Sequence, residues 1–217
     1  MSTLPSFHVT PGQEVSPAQL QALGADHFFT LQPIPDSIFA LMQGRSYRAD
    51  CPLPRQDLRY LTCLHCDAQG RTLMGEMVVH VSIADDVLSI LRQLYQGAYP
   101  IERMVLIDHY EADDETSMRA NNSSGFNFRY VSHTHIISKH GRGLAIDINP
   151  LYNPYHKTLP DGTIVTEPAN ATAYLDRQRD FPYKIVRGDL CYRLFTSHGF
   201  HWGGNWRTRK DYQHFER

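Results

Sequence analysis

The sequence predicts an α+β fold: a small antiparallel sheet with flanking helices. Short β-prone runs and helical patterns follow one another without the regular alternation of a parallel α/β sheet. The two clearest runs, Leu58 to Cys66 and Met77 to Ile83, lie on either side of Asp67-Ala-Gln-Gly70 and read as a hairpin. At 217 residues, 41% hydrophobic and 20% charged, the chain is large enough to bury a core without disulfides or structural metal.

The elements follow in order. Ser16 and Pro17 mark an N-cap and first helical position for a short helix over Pro17 to Leu23. Asp36 reads as the cap of a second helix running through Ile38, Leu41 and Met42 and stopping near Gly44. After the hairpin, Val87, Leu88, Leu91, Leu94 and Tyr95 fall at helical spacing within Ala84 to Tyr95, with Gly97 beyond the end. Met104 to Tyr110 predicts a strand. From Glu111 to Gly125 the chain is polar; it lacks the spaced ligands and glycine of a calcium loop and reads as a solvated loop. Leu144 to Ile148 predicts a strand with Ala145, Asp147 and Asn149 on one face and Leu144, Ile146 and Ile148 on the other. Asn149 to Gly162, rich in Pro, Asn and Tyr, reads as a long loop, and a last helix begins near Gly188-Asp189. Residues 1–100 read as an N-terminal extension of helices and a hairpin, packed on a catalytic region over 101–217.

A net charge of −2 with no basic run gives no reason to expect nucleic acid. No stretch approaches the roughly 20 apolar residues that span a bilayer. Met1 to Val15 is polar and holds no apolar signal core, so the expected location is the cytoplasm, or the periplasm or cell envelope if an export signal has been removed. Of the four cysteines, Cys63 and Cys66 have the spacing of half a zinc knuckle, but Cys51 and Cys191 do not supply the second pair. On a strand, an i, i+3 pair faces opposite ways, so buried thiols are the expectation.

The chemistry-bearing residues lie further on. His140 and Asp147 occur in Ser138-Lys-His-Gly-Arg-Gly-Leu-Ala-Ile-Asp147, where Gly141 and Gly143 permit a tight turn before the strand that carries the aspartate. Near the end, Asp211-Tyr-Gln-His214 sets a carboxylate and an imidazole three residues apart. Two imidazoles, one carboxylate ligand and one spare carboxylate are the inventory of a mononuclear zinc hydrolase. His133 and His135 form a competing i, i+2 pair that lacks a third ligand at a useful spacing, and His198 and His201 flank the final block.

These residues resemble the zinc D-alanyl-D-alanine carboxypeptidase and L-alanyl-D-glutamate peptidase family, the VanX/VanY-like group related in fold to lysostaphin and the hedgehog amino-terminal domain. The pattern Ser-x-His-x-x-Gly-x-Ala-x-Asp is matched from Ser138 to Asp147. Trp202-Gly-Gly-Asn-Trp206 and Asp211 to Glu216 match a second block, Trp-Gly-Gly-x-Trp followed by Asp-x-x-His-Phe-Glu. Ser124-Gly-Phe-Asn-Phe-Arg129 looks like the segment that carries the family's active-site arginine. The resemblance is strong from about Ser117 onward and weaker over the first hundred residues.

The resemblance implies a hedgehog/D-Ala-D-Ala-peptidase-like fold, one zinc ion on His140, Asp147 and His214, and Asp211 as general base. It implies a peptidoglycan stem peptide as substrate, cut as an L-Ala-D-Glu endopeptidase or a D-Ala-D-Ala carboxypeptidase; a cytoplasmic D-Ala-D-Ala dipeptidase is a third form. Amide hydrolysis develops an oxyanion, for which Arg129 is the expected cation and Arg119 the rival. Ser138 either hydrogen-bonds substrate or shapes the turn before His140. Trp202 and Trp206 are either cleft walls or aromatic core, with Trp202 the expected substrate contact. The alternative from another class is a non-catalytic zinc-containing binding module of the same fold, which has no need of a base three residues before a ligand.

Overall fold

The computed structural model describes residues 9–131 and 134–217; the competing residue His133 lies outside them. The described residues form three small antiparallel sheets with short helices around them. The first sheet runs β1 (Thr30–Pro33), β2 (Leu58–Cys66), β3 (Thr72–His80). Its central strand is a nearly unbroken buried run because both faces are covered. Leu61 and Cys63 point into one apolar cluster and Leu58 and Tyr60 into the other.

Local signals explain most element ends. Ser16 and Gln19 close a capping box on α1 (Pro17–Leu23). In α2 (Asp36–Met42) Pro35 holds the cap position, and Asp36 is the first helical residue, paired with Arg55. The second hairpin strand ends earlier than its apolar run, because the His80 side chain accepts the Ser82 N–H at 3.1 Å and caps α3 (Val81–Gln96). This helix therefore takes Val81 to Ile83 out of the strand. Its buried face, including Ile83, Val87, Ile90, Leu91 and Leu94, packs on the first sheet.

Three expectations are corrected. Met104 to Tyr110 is not a strand: the Asn122 amide both accepts the Val105 N–H (2.9 Å) and donates to the Val105 carbonyl (3.0 Å), so a side chain stands where a neighbouring strand would. The polar stretch after Glu111 is not a solvated loop. It holds α4 (Asp114–Arg119), and Asn121, Asn122 and Ser123 are buried at 1% exposure or less. The segment after Asn149 is not an open loop either. It contains β5 (Tyr155–Thr158) and β6 (Ile164–Glu167), a hairpin turning at Asp161, whose carboxylate accepts the Thr163 N–H at 2.9 Å.

The remaining elements are β4 (Ala145–Asp147), α5 (Leu190–Ser197), β7 (His201–Trp202), β8 (Lys210–Asp211) and β9 (His214–Glu216). They complete the second sheet, β4-β9-β7, and the third, β6-β5-β8. Phe215 of β9 stacks on Phe195 of α5 at 4.2 Å and joins Ile146, Ile148, Val79 and Val87 in one core. Residues before and after position 100 thus share a single apolar cluster. Cys63, Cys66 and Cys191 are buried, Cys51 is half-buried, and all four are free thiols. No helix among the described residues is long and apolar enough to cross a membrane.

Candidate active site

Two short strands bring the first two candidate ligands together. Asp147 on β4 and His214 on β9 are direct cross-strand partners, so their side chains leave the sheet side by side. Strand alternation turns Phe215 to the core and sends His214 and Glu216 to the same face. His140 arrives from the turn just before β4. Gly143 has φ +66°, and a Cβ there would stand 2.7 Å from the His80 nitrogen. A Cβ on Gly141 would stand 2.8 Å from the Arg129 carbonyl oxygen. Ser138 is buried, and its Oγ accepts the Gly141 N–H at 2.9 Å, which closes the same turn. Both glycines and the serine hold the loop that delivers His140.

The donor atoms converge. His140 Nε2 lies 3.2 Å from His214 Nδ1 and 3.2 Å from Asp147 Oδ2, and His214 Nδ1 lies 3.0 Å from Asp147 Oδ1. The outer nitrogens settle which atoms carry protons. His140 Nδ1 is 2.7 Å from the Gly125 carbonyl, which can only accept, so Nδ1 holds the hydrogen and Nε2 presents its lone pair. His214 Nε2 likewise faces Glu216 Oε2 at 3.1 Å, leaving Nδ1 as the inward lone pair. Two lone pairs and a carboxylate aimed at one point repel unless a cation sits among them. In the chain alone a proton serves: burial would lower the His214 pKa, but hydrogen bonds with Asp147 and Glu216 and the charges of Asp147 and Asp211 push it up to about 10. Burial likewise works against the Asp147 anion, yet His140 and His214 hold its carboxyl well below the usual range. The donor set therefore fits a metal ion, and these three residues are the metal-competent group among the described residues.

Asp211 is placed by the third sheet, paired with Tyr155 of β5. Its approach depends on the glycines of the Trp202–Trp206 block. A Cβ on Gly203 would lie 2.6 Å from the Asp211 carbonyl oxygen and 3.3 Å from the His214 Cβ. Asp211 Oδ1 is buried and has no hydrogen-bond partner among the described residues. Burial, helped by the Asp147 charge and opposed by His214 and His140, pushes this carboxyl up to about 6. A solvent-poor carboxylate with an open oxygen beside a metal-competent cluster is suited to accept a proton.

The other candidates separate. Trp202 is a core residue, 6% exposed, edge-on to Tyr192, with its indole N–H given to the Tyr212 carbonyl at 2.8 Å. A ring so enclosed has no face left for substrate, so the expected contact at Trp202 is corrected. Trp206 is half-buried instead and lies with its ring 5.5 Å from that of His214. Arg119 forms a surface i, i+4 pair with Glu115 at 2.7 Å. Arg129 runs beside the His140 turn, where its carbonyl accepts the Ser138 N–H at 3.0 Å, and its side chain meets Asp114. Burial pushes the Glu167 carboxyl up, with Arg129 pulling down and Glu115 and Asp114 pushing up. His135 and His201 are exposed. Sequence reasoning missed the outer partners, Glu216 and the Gly125 carbonyl. The His-Phe-Glu alternation signalled Glu216, whereas no side chain signals a carbonyl.

Residues 132–217 match the family model described as D-alanyl-D-alanine carboxypeptidase. The family read from the motifs is the family matched, over a span that holds His140, Asp147, Asp211 and His214 and supports a peptidase. Neither the curated proteins nor the solved structures gave a match.

Proposed function

We propose that this chain is a zinc metallopeptidase that hydrolyses peptide bonds in bacterial peptidoglycan stem peptides, at L-Ala-D-Glu or D-Ala-D-Ala. The observation that carries the reading is the convergence of His140, Asp147 and His214 beside the unpartnered Asp211 oxygen. Zinc, when bound by those three residues, would polarise the scissile carbonyl and lower the pKa of water toward about 7. Asp211 takes the proton of the attacking water and passes it to the leaving amine. Arg129 is the fixed cation for the developing oxyanion, and Trp206 is a wall against which the peptide lies. Such a substrate would be met in the periplasm or cell envelope if an export signal has been removed, and otherwise in the cytoplasm.

The competing reading, a binding module that merely retains the metal, leaves Asp211 unexplained. An ionised carboxylate in a solvent-poor site lowers stability, and a module without turnover has no use for it. Zinc-loaded protein should be incubated with defined muropeptides and the product masses recorded. Release of free D-alanine selects the carboxypeptidase, and stem peptides lacking their L-alanine select the endopeptidase. Digestion of casein with intact muropeptides overturns both.

A further inference from the structure

A continuous route ties the His140 turn to the Arg129 side chain. The Asn127 N–H donates to the His140 carbonyl at 3.2 Å. The same residue, 4% exposed, donates its side-chain Nδ2 to Asp114 Oδ1 at 3.0 Å and to the Ala112 carbonyl at 3.2 Å. The other Asp114 oxygen, Oδ2, meets Arg129 Nε. Asp114 is the first residue of α4, and its side chain keeps 31% of its exposure. Its carboxylate is thus gripped from behind by a buried amide while its other oxygen pairs with the guanidinium. Arg129 Nε is buried, and its contact with Asp114 is an ion pair with no hydrogen bond formed at that nitrogen. The Arg129 backbone lies against the same turn: its carbonyl accepts the Ser138 N–H at 3.0 Å, and a Cβ on Gly141 would stand 2.8 Å from that oxygen.

We propose that Asp114 is a positioning residue for the reaction: its ion pair fixes Arg129, with Asn127 locking both to the His140 turn, so that the guanidinium is held ready for the scissile carbonyl. This rests on the peptidase reading above. An isolated surface ion pair contributes little and tolerates loss of one partner. A pair that orients a catalytic cation does not, because misplacement weakens the interaction that counts in the transition state.

A double-mutant cycle on muropeptide hydrolysis by the zinc-loaded chain tests it. Arg129→Ala should lower kcat about 10²-fold or more. Asp114→Ala should lower kcat about tenfold with KM nearly unchanged, and Asp114→Asn, which keeps an oxygen for Asn127 or Arg129, should recover part of that loss. In the Arg129→Ala background the Asp114 substitution should cost nothing further. Should Asp114→Ala fail to fold, Asp114→Asn carries the same cycle. Additive losses, or a raised KM with unchanged kcat, in an otherwise active protein overturn the positioning role alone. A wild-type chain with no turnover overturns the peptidase reading and this inference together.

Discussion

Two buried carboxylates in this molecule, Glu76 and Asp147, sit in opposite surroundings. Glu76, 3% exposed on β3, is met by donors, the Tyr60 hydroxyl at 2.7 Å and the Leu106 N–H at 3.2 Å, with His109 Nε2 lying 3.3 Å away. Asp147 is met by His140 Nε2, whose ring proton lies on the Gly125 side, and by His214 Nδ1, which faces it with a lone pair or with the extra proton of the metal-free chain. The charge of a second carboxylate, Asp211, also reaches it. A buried carboxylate ringed by donors is satisfied, and its work is to hold strands together. One ringed by acceptors is satisfied only by a cation. Residue types alone do not separate the two, since both groups contain histidine and carboxylate; the direction of each proton does.

The strongest way to break that comparison is to remove the inward lone pairs. His140→Ala or His214→Ala should reduce zinc from about one ion per chain to near zero and abolish hydrolysis, as three protein ligands are the minimum for a catalytic site. Elemental analysis checks this. Zinc retained in both variants would move the site away from β4 and β9.

Next in size is Asp211. Asp211→Asn should keep zinc and lose hydrolysis by about 10²-fold or more, because only the ionised oxygen can accept a proton. Activity of the wild type should fall as pH drops through about 6, or lower once a bound cation favours the anion. Stability runs the other way. Folding raises this carboxyl above its ordinary value, so the stability linked to it is complete below about pH 4 and is lost as pH rises through about 6. Metal-free Asp211→Asn should then be more stable than wild type at pH 8, by on the order of 2 kcal/mol. Denaturant melts read this directly, and a variant that is less stable and still active would remove Asp211 from the mechanism.

On the donor-ringed side, Glu76→Gln should leave zinc content unchanged and cost about 1–3 kcal/mol of stability, since one buried donor loses its acceptor. Loss of zinc in this variant, with the fold intact, would mean that the two clusters are coupled and the contrast is false.

How much of this was legible in the sequence depends on the range of the interaction. His140, Asp147, His214 and Asp211 were legible, singled out by their motifs, and the turn before β4 is local; that they meet depends on the β4–β9 pairing, which is distant in sequence. The β5–β6 hairpin was not, since Pro, Asn and Tyr around it read as loop and its pairing with β8 is distant in sequence. Asn121, Asn122 and Ser123 looked solvated because polarity reports composition. Their burial is set by Leu151, Val105 and Asn149, whose backbone N–H groups they accept. Of the two tryptophans of one block, Trp202 was the expected substrate contact, and only tertiary contacts put it in the core.

The smallest expected effect concerns the second of those tryptophans. Trp206 is held by local contacts, its carbonyl accepting Lys210 Nζ at 2.7 Å and its ring lying under the Arg209 guanidinium at 4.4 Å. The half-buried indole lies 5.5 Å from the His214 ring, where the proposed wall for an approaching peptide would be. Losing such a contact removes about 1 kcal/mol of binding, or roughly fivefold in KM, and nothing made only in the transition state. Trp206→Ala should therefore raise KM for muropeptides about that much, with kcat and zinc content nearly unchanged. A fall in kcat at constant KM would show instead that the indole acts through His214, by holding the imaginary line from Glu216 to Asp147 straight, and would move Trp206 from the wall of the cleft into the support of the ligand.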